Sequence, residues 1–458
     1  MNNNRIAFVV VGLVFFLYYS YVTGLGFYES CSIGLLAYFF LDFLDNVGKR
    51  VVVLDIAVIL ALFTWLVMPV IFYQVYTKQD HLAFIFRHYM PIPADDYFSF
   101  AFPGTISMII GFKLPLAKLQ INQDPQAYKA KLQAFFKGKA RIGFILIGIS
   151  FAAGVLYRVV PASLNRPVNL LQQLSYVGVF YIFFSEHKHK NKILLAVLGL
   201  LAINSIIAGL FGELVFLVAL FYILIALYLK KISFGVKLSV CLFGFICIFL
   251  IQNVKKTYRQ ETWSHGETNG SVGVFWDLVA EAATNPSVLL QKDRLYFTAV
   301  RMNQGWLIAE TMYMVPARHE YAHGETIATS VLAAFIPRFL WPDKPEAGGK
   351  YNLMRFWGFY LRGYSENIGP IGEAYANFGR QGAIIFMFFY GLFFNGVLTY
   401  LLRRSEKRPS ILCWIPFLFF YAVVVETDIL TTVGSIVTSL IFMTIFSWLY
   451  YRIFHVRL

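Results

Sequence analysis

The chain has 458 residues, of which 58% are hydrophobic and only 14% are charged, and its formal net charge is +14. A soluble domain has roughly half apolar and a quarter charged residues, so this composition excludes an ordinary soluble protein and predicts a polytopic membrane protein. The four cysteines lie within or beside apolar runs, which excludes a disulfide framework and indicates packing roles.

The first apolar run, residues 6–22, resembles a signal peptide. No small-residue cleavage site follows it, so it is predicted to be a retained membrane helix. Each later run is close to the roughly 20 residues that cross about 30 Å of hydrocarbon, which predicts an all-α polytopic membrane protein with about 12 transmembrane helices. The later spans are 26–44, 51–76, 98–116, 142–160, 168–185, 193–210, 212–229, 235–252, 380–402, 411–428 and 434–453.

The distribution of Lys and Arg predicts the orientation of these spans. With a cytoplasmic N-terminus, the cytoplasmic connections hold roughly 21 basic residues and the opposite short loops roughly four. The positive-inside rule therefore places both termini in the cytoplasm and the long segment 253–379 outside. Basic and acidic residues nearly cancel within that segment. The net charge is thus a signal of topology, and binding of nucleic acid is not expected.

The predicted spans divide the chain into three parts. Residues 1–252 form an N-terminal transmembrane bundle of about nine helices, and residues 380–458 form about three C-terminal ones. Between them, residues 253–379 form one large extracytoplasmic loop, which carries the candidate active site. Apolar residues recur at helical spacing from Val272 to Ala283, and this pattern predicts short interfacial helices that lie on the membrane.

Basic residues in the loop suggest a site for phosphate. Arg338 lies between two prolines of the segment 336–345, which is predicted to be rigid and non-helical because proline fixes the backbone and removes N–H donors. A rigidly held guanidinium suits phosphate because its planar fork binds two oxygens at once. Lys344 adds charge in the same segment. Earlier in the loop, Arg294 and Arg301 recur at helical spacing, which a solvated helix face explains equally well.

Other basic and aromatic residues of the outer loops are further candidates for substrate binding. Arg355 and Arg362 add positive charge after the proline-rich segment. Tyr351 supplies an aromatic face for a sugar ring, although tyrosines also anchor proteins at the membrane interface. In a short outer loop, Arg158 and Arg166 suit either a lipid phosphate or interfacial anchoring by snorkelling.

Candidate acid–base groups lie near the end of the loop. Glu373 and Asn377 stand four residues apart, which places them on one face of the helix that leads into the span 380–402. Such a face holds either a carboxylate in a polar pocket or an ion pair at a helix entry. Asp95 and Asp96 would suit a divalent metal only if more oxygen ligands converged. No such pattern is visible, so no metal site is predicted.

Three motifs of the loop resemble a known family. IPRFLWPDKP, the preceding GETIATSV and the later NIGPIGEAYANFGRQG are similar to outer-loop motifs of bacterial O-antigen and exopolysaccharide repeat-unit polymerases of the Wzy type. The resemblance implies a GT-C-like membrane glycosyltransferase without cofactor or metal, in the bacterial cytoplasmic (inner) membrane, with its active site facing the periplasm or exterior. Its implied substrate is an oligosaccharide linked to undecaprenyl diphosphate. The implied partners are membrane lipid, a chain-length regulator and a flippase.

The implied reaction moves a growing glycan from undecaprenyl diphosphate to the non-reducing end of a new lipid-linked unit. It needs a base for the attacking hydroxyl and positive charge on the departing diphosphate. Arg338 and Arg301 are predicted to bind the diphosphate, with Lys344 in support. The candidate bases are, in order of preference, Glu373, Glu325 and His323.

Three other functions stay open at this point. An O-antigen ligase-like enzyme, or another lipid-linked glycosyltransferase, would share the fold and most of the chemistry. A lipid-glycan transporter is expected to have internal repeats and polar groups along a central path, and neither is visible in the sequence. An intramembrane protease would need a nucleophilic cysteine near His and Arg, and no motif surrounds its best-placed candidate, Cys31.

Overall fold

The computed structural model confirms that the chain is α-helical. It describes all residues except 1–2, 120, 122–123, 158, 162–163, 208, 210, 230–231, 264–270, 337, 339, 361–365 and 457. The described residues form α-helices with a few short π-helical and 3-10 turns, and no β-strand occurs among them.

The described helices are numbered α1 to α22 along the chain. In the first half they are α1 Asn3–Leu17, α2 Phe27–Asn46, α3 Val53–Ala61, α4 Met68–Gln74, α5 His81–Phe86, α6 Ala94–Lys113, α7 Pro125–Phe136, α8 Ala140–Leu156, α9 Asn165–Gln172, α10 Leu174–Phe184, α11 Lys190–Ile207 and α12 Phe211–Tyr228. In the second half they are α13 Phe234–Trp263, α14 Val272–Thr284, α15 Pro286–Leu289, α16 Lys292–Met302, α17 Gly305–Met314, α18 Glu325–Phe335, α19 Lys350–Trp357, α20 Gly369–Ser405, α21 Ile415–Val423 and α22 Ile429–Phe454.

Among the described residues, seven helical segments are long and apolar enough to cross a membrane. They are Asn4–Val22, Phe27–Asn46, Val53–Gln74, Lys190–Ile207, Phe234–Lys255, Gly369–Ser405 and Ile429–Phe454. An eighth would be the pair α7 and α8, which are bent by 73°, if they form one broken span. All seven overlap predicted spans, which is consistent with a polytopic membrane protein. The total of about 12 stays a prediction, because the other apolar runs form helices that are shorter, divided or less apolar.

The chain divides into two compact units. Unit 1 consists of Met1–Thr105 and Leu198–Tyr313, and unit 2 consists of Ile106–Val197 and Met314–Leu458. The two units are defined by contacts between residues. The predicted boundaries at 252 and 379 are instead ends of predicted membrane spans. The three-part division of the chain therefore stays a prediction.

Small residues and one buried ion pair organise the start of unit 1. Helices α1 and α2 approach closely where Gly12 faces Gly34, because a Cβ on either residue would lie within 3 Å of the other's carbonyl oxygen. Asp55 lies in the apolar helix α3, where an unpaired carboxylate would be costly. The Arg50 guanidinium lies 2.9 Å from an Asp55 carboxylate oxygen and supplies the compensating charge.

In unit 2, the helices α18, α20 and α22 position the candidate site. Helix α18 packs along α22 and also contacts α20. Gly379, at φ 65° and ψ −171°, interrupts α20 with a backbone conformation that favours glycine. A continuous helix of 37 residues would be about 55 Å long, well beyond the roughly 30 Å of hydrocarbon. The kink separates the polar start of α20 from its apolar remainder, which overlaps the predicted span 380–402.

Candidate functional site

Glu373 lies at the polar start of α20 and is fully buried. The hydroxyl of Thr326, in α18, donates to its Oε1 at 3.2 Å, and the backbone N–H of Ile429, in α22, donates to its Oε2 at 3.0 Å. One side chain thus connects three helices. Its role as general base stays a prediction, and its burial and bonding favour a structural role.

Asn377 shares this polar pocket with Glu373. Its Nδ2 donates to Thr326 Oγ1 at 2.7 Å and to the Glu373 carbonyl oxygen at 2.8 Å. Its Oδ1 accepts from the backbone N–H of Gly324 at 3.1 Å. Of the two arrangements predicted for this helix face, the structure has the carboxylate in a polar pocket. These three hydrogen bonds of Asn377 are all made within the protein. Substrate binding by Asn377 stays a prediction.

A second buried carboxylate, Asp428, precedes α22 and is 2% exposed. Its Oδ1 accepts from the backbone N–H of Thr431 at 2.8 Å, which caps the helix. Its Oδ2 accepts from the backbone N–H of Gly349 at 3.0 Å. Asp428 therefore connects the start of α22 to the residue before α19.

The described residues between α18 and α19 are non-helical, as the prolines require, and they carry two cations. Arg338 is exposed, and its guanidinium donates to the carbonyl oxygens of Pro342 and Pro345, each at 3.4 Å. The Lys344 Nζ donates to the carbonyl oxygen of Ile336 at 3.1 Å. Both cations thus donate hydrogen bonds to carbonyl oxygens of their own segment.

Arg166 belongs to the same group of cations. Its Nη2 donates to the hydroxyls of Ser435 at 3.0 Å and Thr438 at 3.3 Å, both on α22. Burial lowers the pKa of Lys344, and the positive charges of Arg338 and Arg166 lower it further. The charges of Arg338 and Arg166 therefore both act on Lys344, and we call these three residues the cation cluster.

The remaining candidate bases lie together at the start of α18. Glu325 and His323 are exposed, and a carboxylate oxygen of Glu325 lies 3.6 Å from the Arg355 guanidinium. Tyr351, on α19, is close by. Burial raises its pKa, a hydrogen bond to Thr329 lowers it, and the charge of Glu325 raises it again. Four predicted site residues are thus brought together, namely His323, Glu325, Tyr351 and Arg355.

Other predicted site residues lie elsewhere. Arg294 and Arg301 are on α16 in unit 1, whereas the residues of the cation cluster belong to unit 2. There, burial lowers the pKa of Arg259 and the positive charge of Arg301 lowers it further. Arg158 and Arg362 lie outside the described residues.

The sequence-based set of site residues lacked Asp428, Thr326 and Gly349. An aspartate directly before an apolar helix is a readable N-cap signal, so the cap of α22 was available from the sequence. Asp428 also lies at the outer end of the predicted span 411–428, within reach of the large loop. The individual distant partners of Asp428 and Thr326 had no such signal. Within the part of the chain that the structure describes, no group of three His, Cys, Asp or Glu residues is placed to hold a metal ion. Independence from metal stays a prediction.

Comparison with known proteins gives one family and two partial relatives. A family described as "Domain of unknown function (DUF8712)" matches residues 104–407. The O-antigen polymerases of Salmonella typhimurium (strain LT2) and Salmonella typhi are each 29% identical to this chain over 104 residues. That alignment covers 22% of this chain and 25% of each relative, so the chain spans about a quarter of the length of these curated relatives. No solved structure matches.

Proposed function

The chain belongs to the family described as a domain of unknown function, DUF8712, and we propose that it polymerises lipid-linked oligosaccharide repeat units. The partial similarity to two O-antigen polymerases supports a membrane enzyme of this kind. The proposed substrate is a glycan on undecaprenyl diphosphate, which is transferred to the non-reducing end of a new lipid-linked unit.

The cation cluster is the observation that carries the proposal. Lys344 bonds to Ile336 at the end of α18, and Arg166 bonds to α22, which packs along α18. With Arg338 in the same segment as Lys344, three positive charges belong to this part of unit 2, and a departing diphosphate carries the opposite charge. The bonds from Arg338 to carbonyl oxygens are long, at 3.4 Å. A guanidinium binds phosphate oxygens at about 2.7–2.9 Å, in bonds roughly twice as strong as those between neutral groups. Phosphate can therefore replace these carbonyls as the partner of Arg338.

Of the three candidate bases, Glu325 and His323 at the start of α18 are exposed and Glu373 is buried, so we assign the base to one of the two exposed groups. In the proposed step, Glu325 or His323 takes the proton of the acceptor hydroxyl. The hydroxyl oxygen then attacks the anomeric carbon, and the bond from that carbon to the diphosphate oxygen breaks. The electron pair leaves with the diphosphate, whose charge the cation cluster stabilises. Glu373 lies buried beneath this surface and supports it.

The proposed setting follows from the charge distribution of the loops. The enzyme is a multi-pass protein of the bacterial cytoplasmic membrane, with both termini cytoplasmic and the cation cluster outside. It acts without a metal ion, since cationic side chains take the place of one at the diphosphate. A flippase that supplies the lipid-linked units and a regulator of chain length are its proposed partners.

The surface glycan of a deletion strain tests this function. We expect the lipid carrier or the acceptor core to bear one repeat unit, and we expect the intact gene to restore long polymer. Complementation with a variant that lacks the charges of Arg338 and Lys344, at normal abundance, should leave single units. Long polymer that accumulates on the carrier in the deletion strain would indicate a ligase instead and would contradict the proposal.

A further inference from the structure

The segment that carries Arg338 and Lys344 is bonded mainly to itself. Arg338 donates to two carbonyl oxygens of the segment and Lys344 donates to a third. At its C-terminal end, the Lys350 Nζ lies 2.8 Å from a Glu346 carboxylate oxygen. These bonds shape the segment, and the bond from Lys344 to Ile336 ties it to the C-terminal end of α18.

The bond between Gly349 and Asp428 attaches the other end of this stretch of chain to α22. Gly348 and Gly349 both have positive φ, at 98° and 80°, a conformation that favours glycine. A Cβ on Gly349 would lie 1.8 Å from the carbonyl oxygen of Glu366, so only a bare backbone fits there. The N–H of Gly349 points at Asp428, which holds it at the start of α22.

The third cation is attached to the same helix. Arg166 donates to Ser435 and Thr438 of α22. Ser435 follows Asp428 by seven residues, which is about two helical turns, or roughly 10 Å along the helix. Arg166 and the residue that follows the segment, Gly349, are therefore both attached to α22, about two turns apart.

We propose that Asp428 is a positioning residue for the diphosphate site. By holding Gly349 at the start of α22, it sets the distance from Arg166 to Arg338 and Lys344, and so matches the cation cluster to two linked phosphates. This inference rests on the proposed function for its substrate. The attachment of the segment to α22 does not depend on that function and can be measured separately.

Asp428→Asn separates the two roles of this carboxylate. Asparagine caps a helix as well as aspartate does, so the bond from Thr431 is retained. The side chain then has one acceptor oxygen instead of two, and the bond from Gly349 is lost. Asp428→Ser, which also caps, is a second variant with the same loss. Asp124→Asn is the matched control, because Asp124 caps α7 by accepting from the backbone N–H of Ala127 at 3.0 Å.

Two measurements on purified full-length protein decide the proposal. Hydrogen exchange of peptides that cover residues 341–352 should become roughly ten- to a hundredfold faster in both Asp428 variants and stay unchanged in Asp124→Asn. With the lipid-linked repeat unit isolated from the deletion strain, KM should rise about tenfold while kcat changes little. A general loss of folded protein would lower the active fraction without raising KM.

Unchanged exchange in both Asp428 variants would overturn the attachment. Faster exchange with an unchanged KM would overturn the positioning role, since the cluster would then not need the segment held in place. Failure of the wild-type protein to elongate the lipid-linked unit would instead overturn the proposed function. Hydrogen exchange would still decide, in that case, whether Asp428 holds the segment.

Discussion

The side chain of Glu373 accepts a hydrogen bond from the backbone N–H of Ile429 at 3.0 Å, which joins the start of α20 to the start of α22. The N-terminus of a helix favours negative charge because its first N–H groups lack partners within the helix. Asp428 accepts a hydrogen bond from the backbone N–H of Thr431 at the same helix end. Two buried carboxylates therefore converge on the start of α22 and hold the elements that carry the candidate site.

The first prediction compares Glu373→Gln with Glu325→Gln. Glutamine has one acceptor oxygen, so either Ile429 or Thr326 would face an amide that donates instead of accepting. An unsatisfied buried group costs about 1–3 kcal/mol, and we therefore expect a lower midpoint of thermal unfolding for Glu373→Gln. The Glu325 side chain is 57% exposed, so its substitution should leave unfolding unchanged.

The same two variants test which carboxylate acts as the base. A general base contributes about 10²–10⁴-fold to the rate, so Glu325→Gln should reduce elongation by that order if Glu325 takes the proton. His323→Gln is the companion variant, since His323 is the exposed neighbour at the start of α18. If Glu373→Gln keeps the normal midpoint of thermal unfolding but loses elongation, Glu373 would be the base instead.

The sequence predicted the polar pocket in part, and the missing part consists of contacts between distant residues. The spacing of Glu373 and Asn377 placed them on one helix face, because helical periodicity is local. Thr326 lies 47 positions from Glu373, and Gly349 lies 79 positions from Asp428. No local pattern encodes such pairs. They depend on how α18, α20 and α22 pack.

In the membrane helices, too, local patterns were predicted from the sequence and contacts between distant residues were not. The long apolar runs were readable because about 20 apolar residues are needed to cross the bilayer. The run 168–185 was predicted as one span, but the structure divides it into α9 and α10, and Arg166 on α9 bonds to α22. Two interpretations of Arg166 were open from the sequence. Its bonds to two hydroxyls on another helix are contacts that periodicity does not reveal, and both interpretations stay predictions.

The second prediction concerns the close contact at Gly349. Gly349→Ala should destabilise the protein strongly. A left-handed backbone costs about 1–2 kcal/mol for a residue with a Cβ, and this Cβ would also lie 1.8 Å from a carbonyl oxygen. Thermal unfolding and membrane abundance measure the effect. Gly148→Ala is the control, because a Cβ at that position in α8 has no atom within 4 Å, and alanine favours a helix by roughly 0.5–1 kcal/mol. Equal stability of the two variants would contradict the structure around Gly349.

The third prediction concerns topology. In a variant without the native cysteines, Glu346→Cys and Thr284→Cys should react with a membrane-impermeant maleimide in intact cells. Gln133→Cys should react only after the membrane is opened, because its basic loop is predicted to be cytoplasmic. All three positions are exposed, so access of the reagent depends on the side of the membrane. Labelling of Gln133→Cys in intact cells would reverse the orientation and move the cation cluster to the wrong side.

The fourth prediction concerns metal ions. If the cation cluster neutralises the departing diphosphate, purified enzyme should keep its elongating activity in an excess of chelator. The rate of elongation of the lipid-linked unit, with and without chelator, measures this. Loss of activity that magnesium or manganese restores would contradict the prediction. It would indicate that a divalent ion, and not the cation cluster alone, neutralises the departing diphosphate.

The last prediction concerns Arg338. Its guanidinium reaches two carbonyl oxygens of its own segment, which shows that its fork can engage two acceptors at once. If the diphosphate takes the place of these carbonyls, Arg338→Lys should keep the charge but lose the paired geometry. A charge-assisted hydrogen bond contributes about 1.5–3 kcal/mol, so elongation should fall roughly ten- to a hundredfold. Arg338→Ala should lose at least as much.

Abundance distinguishes this role from an anchoring one. Arg338 is exposed, so either substitution should leave the amount of protein in the membrane near normal. Lysine snorkels to the membrane interface nearly as well as arginine, so an anchoring role predicts full activity for Arg338→Lys. Arg408→Lys, at an exposed position on the predicted cytoplasmic side, controls for the exchange itself and should remain active. Long glycan from Arg338→Lys at normal abundance would remove Arg338 from the diphosphate site and leave Arg166 and Lys344 as its cations.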